Sequence, residues 1–361
     1  MTVFSQRRAR LCRLLSQYKI DYLLVVNPIN VRYLSGFTGD STYLLISKSD
    51  AVLLSDGRYT TQLEAECPDL PTQIRDTAET LLSLICKLYG KLSKRFGFEA
   101  DAVSVAIRDR LVDALKSGTL VPLEGVVERL RIIKDRTEIA AIRKSAAAAN
   151  KGYNYIRNIL QPAMTEADIR TELEYQMRKA GAETVSFPSI IAAGSNAAQP
   201  HARPSNRKIG GEQLLLIDWG AMYDGYASDL TRTIFLKKPS AKLLSLYKFV
   251  AEAQHAAICA IKPGKKCSDI DAVARKIITN AGYGKQFNHG LGHGIGLEIH
   301  EQPRFVGSSE TVLEAGMVIT VEPGIYIPDW GGIRIEDDIL VTKTGCEILT
   351  ADVKYEPEAF L

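Results

Sequence analysis

The sequence predicts an α+β protein in two parts, and three observations carry that expectation. In residues 1 to about 125, short apolar runs alternate with stretches of helical spacing, which indicates a sheet covered by helices. Leu130 to Glu138 is a junction that opens a long alanine-rich helix. From Glu183 onward, strand-like runs end in acidic residues, with amphipathic helices between them. The expected division is an α/β unit over 1–128 and a second unit over 129–361.

In the first unit, Arg8 to Tyr18 has the helical spacing of Leu11, Leu14 and Leu15, and Tyr22 to Val26 suits a buried strand. Asn27-Pro28 punctuates the chain, and a short helix over Val31 to Leu34 should stop at Gly36. Thr42 to Ile46 and Ala51 to Leu54 form a hairpin pair. Helices are expected at Arg58 to Glu66, Thr80 to Leu92 and Val103 to Leu115, with a strand at Gly97 to Glu99.

Asp135 caps the junction helix, with Glu138 as its capping-box partner. That helix runs to about Leu160, and its alanines imply close helix packing. Thr165 and Asp168 open another, to Ala180. Strands are expected at Ser186 to Ala193, Leu214 to Ala221 and Leu230 to Leu236. Helices follow at Ser240 to Ile261 and Ser268 to Ala281, then strands at Met317 to Glu322 and Ile333 to Thr342. The order repeats coarsely: helices and an acidic hairpin, twice.

Composition narrows the function classes. The 361 residues are 46% hydrophobic and 24% charged, ordinary for a globular protein with a sizeable core. A net charge of +3 with no clustered basic face argues against nucleic acid as partner. No apolar run is long enough to span a bilayer, and Met1 to Arg10 has no apolar leader segment, so a cytoplasmic location is expected. Six cysteines, none in a Cys-x-x-Cys pair, suggest reduced and mostly buried thiols.

The chemistry concentrates around Asn288 to Glu301. Of five histidines, three stand here (His289, His293, His300), with Gly290, Gly292, Gly294 and Gly296 interspersed. So many glycines, each costing a helix about 1 kcal/mol, imply a tight loop or irregular strand. They also suggest close approach of a substrate backbone to whatever the histidines hold. Histidine serves as metal ligand and as proton carrier.

Two hairpins supply acids. In Leu214 to Thr233, Asp224-Gly225 signals a two-residue turn. If Tyr223 pairs with Tyr226, then Asp218 pairs with Thr231, and Asp218 and Asp229 become diagonal neighbours about 7–8 Å apart. They are either solvated acids or a metal-binding pair. The apolar run Leu214 to Ile217 before Asp218 favours metal, because a buried carboxylate needs a counter-charge. In the second hairpin Glu322 ends an apolar run, and Arg334 and Glu336 share a face; this is either a buried Arg-Glu ion pair or more metal ligands. Two aspartates, two glutamates and one histidine suit a pair of divalent ions, Mn²⁺, Co²⁺ or Zn²⁺. A hydroxide held between such ions is a nucleophile, and the ions polarise a carbonyl.

The order Asp218, Asp229, His293, Glu322, Glu336 resembles the five metal ligands of the pita-bread metallopeptidases, which include methionine aminopeptidase, aminopeptidase P and prolidase. The strings at 229–233, 289–296, 321–326 and 332–337 are similar too, and Asn30 to Gly39 resembles the creatinase-type domain that precedes the catalytic domain in the last two. The resemblance implies a pita-bread catalytic domain after a creatinase-type α/β domain, and the length matches the short two-domain form of the family. It implies that Asp218 binds one ion, Asp229 and Glu336 bridge both, and His293 and Glu322 bind the other. Glu322 would also take the proton of the bridging water. His289 and His300 would line the substrate site, His300 near the scissile carbonyl, and Arg334 would assist proton transfer or orient the bridging acids. His201 would be a substrate-side histidine, or else an ordinary loop residue, and Arg304 would hold a product carboxylate, or else be an ordinary surface group. His255 is expected to be structural.

The implied activity is hydrolysis of the Xaa-Pro bond of dipeptides by a dinuclear metallo-exopeptidase, manganese foremost, in a homodimer. The alternatives are an aminopeptidase P acting on longer Xaa-Pro peptides, a metal-free creatinase-like hydrolase, and a non-catalytic interaction protein. The last two should have lost ligands, and all five positions are filled.

Overall fold

The computed structural model describes residues 2–91, 94–115 and 118–352. Helices and strands mix throughout, and the chain divides into two compact units after Arg131.

The first unit is built on a six-stranded sheet in the order Thr72–Ile74, Ala51–Ser55, Tyr43–Ser47, Tyr22–Val25, Arg95–Glu99, Thr119–Leu123. The central strands are the expected apolar runs. The two edges were not anticipated, because Thr72–Ile74 is short and largely exposed and Thr119–Leu123 contains Pro122, so neither has a strand's alternation. The first helix spans Val3–Leu15 rather than starting at Arg8, because Thr2 caps it by accepting from Ser5 N. The helix Pro28–Ser35 ends as expected at Gly36, whose φ of 87° is left-handed.

In the second unit, Asp135 and Glu138 form the expected capping box of the helix Arg136–Ile159. Thr165 and Asp168 do the same for Glu166–Lys179. The alanine face allows close packing: Ala148 and Ala149 are buried, and a Cβ on Gly152 would strike Met177. Trp219 stacks on Tyr153 with ring centroids 4.5 Å apart. Helices Ala241–Ala260 and Cys267–Asn280 cover a second core.

The first acidic hairpin pairs Leu214–Trp219 with Leu230–Phe235, with Ile190–Ala193 on the other side. The register is the one the turn dictates: Tyr223 opposite Tyr226, Asp218 opposite Thr231. The second hairpin differs from expectation. Ile333 to Thr342 is not one strand but two, Gly331–Arg334 and Asp337–Val341, in different sheets. Val318–Val321 pairs with the latter and Gly324–Ile327 with the former in a common register, so Glu322 stands opposite Glu336 at the break. An isolated bridge, Thr231 to Glu336, joins the two hairpins there.

All six cysteines are free, but only Cys67 and Cys267 are buried, fewer than expected; Cys259 is exposed beside an equally exposed His255. No helix among the described residues is long and apolar enough to cross a membrane.

Candidate active site

His293 lies in the short strand Gly292–Gly294, between Glu301–Phe305 and Val318–Val321. The flanking glycines have a different cause from the expected approach of a substrate. A Cβ on Gly290, Gly292 or Gly294 would collide with the carbonyls of Phe305, Thr320 and Gln302, so they let neighbouring backbone close on the strand. His293 Nδ1 lies 3.0 Å from the Gly294 carbonyl, which can only accept, so Nδ1 carries the proton. Nε2 then offers a lone pair, 3.7 Å from Asp229 Oδ2 and 3.6 Å from Glu322 Oε1.

Ligand atoms of Asp229, His293 and Glu336 lie within 4.8 Å of one another. Asp218 and Glu322 join these three in lining one cavity of about 930 Å³, whose lining residues all belong to the second unit. Burial and mutual repulsion push the carboxyls of Asp229 and Glu336 well above their ordinary range. Burial raises Glu322 to about 8, and raises Asp218 despite its cationic neighbour. Burial lowers His293 to about 3, so the ring is neutral.

The electrostatics of the cluster call for cations. Four carboxylates converge where burial opposes charge, Asp218 Oδ1 is buried without a hydrogen-bond partner, and a neutral imidazole nitrogen faces two of the acids. A divalent ion satisfies all three conditions, and oxygen-rich sets with one imidazole suit Mn²⁺, Co²⁺ or Zn²⁺.

Of the two alternatives open for the second hairpin, an Arg334–Glu336 ion pair is not the one that forms. Arg334 Nη2 donates to Asp218 Oδ2 at 2.5 Å, Nη1 to the Tyr326 hydroxyl at 2.6 Å and Nε to Thr231 Oγ1 at 3.0 Å. The hairpin break turns Glu336 to the Thr231 hydroxyl instead, at 2.6 Å. Since Arg334 donates to Tyr326, the phenol is left to donate to His289 Nε2, 3.1 Å away. Both ring nitrogens of His289 are therefore engaged within the protein, Nδ1 with the Gly290 carbonyl at 2.8 Å, and burial lowers it to about 4.

The remaining predicted residues line the same cavity. His300 is exposed, its ring edge-on to His293 at 4.4 Å. The segment after it is pinned by Glu301, which pairs with the buried Lys134 at 3.0 Å and accepts from Glu298 N. His201 and Arg304 are exposed at the lining.

Residues 140–343 match metallopeptidase family M24, and residues 7–133 match the creatinase/prolidase N-terminal domain. The chain belongs to metallopeptidase family M24. It is 36% identical to the Xaa-Pro dipeptidase of Pyrococcus furiosus over 96% of this chain and 97% of that one. Among solved structures, the Xaa-Pro dipeptidase from Bacillus anthracis superposes with a TM-score of 0.94 at 38% identity, covering 98% of this chain and 99% of that one. The X-Pro aminopeptidase from Thermotoga maritima superposes at 0.88 and 34% identity, covering 97% and 99%.

Within this M24 metallopeptidase several site residues escaped the sequence reading. Tyr326 closes the family-like string at 321–326, but nothing in that string gave it a role of its own. Thr231 was noted only as Asp218's register partner. Asp338, fully buried, accepts from Asp229 N at 3.0 Å, and Arg232 pairs with the adjacent Asp337 at 2.7 Å. Arg170 and Arg203 also line the cavity; their separation from Arg304 in the chain hid the grouping.

Proposed function

We propose that this metallopeptidase hydrolyses the Xaa-Pro bond of dipeptides with two divalent ions. The observation that carries the reading is the convergence of Asp218, Asp229, His293, Glu322 and Glu336 in one cavity that also presents His201, His300 and Arg304. The ions, manganese first and cobalt or zinc as alternatives, would supply an acidified water and polarise the scissile carbonyl. Asp218, Asp229, His293, Glu322 and Glu336 would hold them, with Asp229 and Glu336 shared.

The chain's own groups do the rest. Glu322, the most accessible of the acids with an 18% exposed side chain, takes up and passes on the proton. Arg334 fixes the geometry of Asp218 while Tyr326 and Thr231 hold the guanidinium. His300 and His201 face the peptide, and His289 anchors Tyr326. Arg304 meets the carboxylate that a dipeptide presents directly after proline. Among the described residues no acid pairs with Arg304, so its guanidinium is open to such a carboxylate. In this reading 1–128 is a creatinase-type domain, 129–361 the catalytic domain, and the enzyme a cytoplasmic homodimer, which sedimentation and fractionation check.

The similarity to an X-Pro aminopeptidase carries the second reading, removal of the first residue from longer Xaa-Pro peptides. A time course on Xaa-Pro against Xaa-Pro-Yaa with Mn²⁺, Co²⁺ and Zn²⁺ decides. Tripeptide cleavage at an equal or higher rate supports the aminopeptidase; cleavage of neither sinks both.

A further inference from the structure

Glu166, a carboxylate outside the acidic cluster, grips both arms of the segment that carries His201. It is the first residue of the helix Glu166–Lys179 and is fully buried. Its Oε1 accepts from Ala193 N at 2.7 Å and Asn196 Nδ2 at 2.9 Å. Its Oε2 accepts from Ser205 N at 2.9 Å, Ser205 Oγ at 2.6 Å and Asn196 Nδ2 at 3.1 Å. Ala193 ends the strand entering the segment, Asn196 lies in its short helical turn, and Ser205 lies on the returning arm.

The backbone repeats the clamp. Glu166 N donates to Arg207 O and Ala167 N to Ser205 O, both at 3.0 Å. Arg207 crosses between the arms, donating to Ser195 Oγ at 3.0 Å and Asn196 Oδ1 at 3.2 Å. Between the arms stand Pro200 and His201, both lining the cavity, and Pro200 O accepts from Arg334 Nη2 at 3.3 Å.

Among the described residues no cation touches the Glu166 carboxylate. Its charge is met by neutral donors, all from this one segment. Only an acceptor-only group satisfies donors on both oxygens; an amide of the same shape would turn its own N–H against one set. Burying a carboxylate this way is costly, and the cost secures one backbone arrangement rather than an ion pair.

We propose that Glu166 is a positioning residue for catalysis, holding residues 193–207 in the arrangement that presents His201 to the peptide. The proposal rests on the reading of His201 as a substrate-side group.

The test uses the full-length Mn²⁺-loaded enzyme and an Xaa-Pro dipeptide. Glu166→Gln should lower kcat/KM by about 10- to 100-fold, as expected for a displaced contact group. Because the loss acts through His201, adding Glu166→Gln to His201→Ala should cost less than about twofold more. Asn196→Ala and Ser205→Ala, which each remove a donor and disturb the fold less, should show smaller losses with the same non-additivity. Hydrogen exchange reads the clamp without substrate: the amides of Ala193 and Ser205 should exchange about tenfold faster in Glu166→Gln, with Thr231–Phe235 unchanged. Unchanged exchange, or losses that add fully to His201→Ala, would overturn the proposal. Full activity of His201→Ala alone would instead sink the reading of His201, and the positioning role with it.

Discussion

Thr231 and Glu336 are bonded twice. The Glu336 amide donates to the Thr231 carbonyl at 3.1 Å, and the Thr231 hydroxyl donates to the Glu336 carboxylate at 2.6 Å. This is the seam between the two acidic hairpins, and the same hydroxyl accepts from Arg334. Thr231→Val keeps the shape and removes the hydroxyl. It strips a buried carboxylate and a buried guanidinium of a partner, so stability should fall by about 1–3 kcal/mol. Metal affinity should fall by about 10- to 100-fold, the usual effect of losing a group that orients a ligand. Metal titration by calorimetry and a denaturant melt check both; unchanged affinity would show that the seam does not orient Glu336.

The acidic cluster makes a prediction of opposite sign with and without metal. In metal-free protein, Asp229 is buried and repelled by Glu336, Asp218, Asp338 and Glu322. Asp229→Asn should therefore melt at the same temperature as the parent chain, or higher, in EDTA. With saturating Mn²⁺ the order should reverse. The parent gains the linkage term, about 2.7 kcal/mol at one hundred times Kd, which the variant largely forfeits. Peptidase activity should vanish in the variant. Parallel melting shifts in both buffers would mean that Asp229 holds no metal.

What was legible in the chain, and what was not, follows from the range of the forces. Asp224 and Gly225 both take left-handed φ values, 48° and 72°, as a two-residue turn demands, so the register placing Asp218 opposite Thr231 could be read locally. The capping boxes at Asp135 and Thr165 are equally local. The hairpin break at Ile335 and Glu336 could not be read, because Ile335 is fully buried and continues the apolar alternation. The partner of Arg334 lies 116 residues away at Asp218, whereas spacing alone left an ion pair with a nearby glutamate and metal ligation both open. Glu166 carries no local signal, since its donors come from a segment brought back only by the fold.

Arg304 separates the two substrate readings. If it clamps the carboxylate after proline, Arg304→Met should raise KM for Xaa-Pro by about tenfold or more, while kcat for Xaa-Pro-Yaa stays near the parent value. The side chain is exposed, so the fold should be untouched and the melting temperature should not move. Equal losses on dipeptide and tripeptide would remove Arg304 from carboxylate recognition. Arg170 and Arg203, on the same cavity lining, would then be the groups to substitute next.

In the first unit, Glu99 should give a pH dependence of its own. Its carboxylate accepts from Val26 N at 2.7 Å, Asn27 N at 2.8 Å and Asn30 Nδ2 at 2.6 Å. Burial outweighs those donors and raises it from an ordinary 4.5 to about 7, with Glu128 adding to the rise. The folded state thus holds the proton more tightly than the unfolded chain. Stability from this group is complete below about pH 4.5 and is lost as pH rises to about 7, beyond which the curve flattens. At about 1.4 kcal/mol for each pH unit, the loss is on the order of 3 kcal/mol. Glu99→Gln cannot titrate. The difference between the parent and variant stability curves, measured with Mn²⁺ present from pH 5 to 8, should fall across that window and level off above 7. A flat difference would mean that the three donors keep Glu99 ionised throughout.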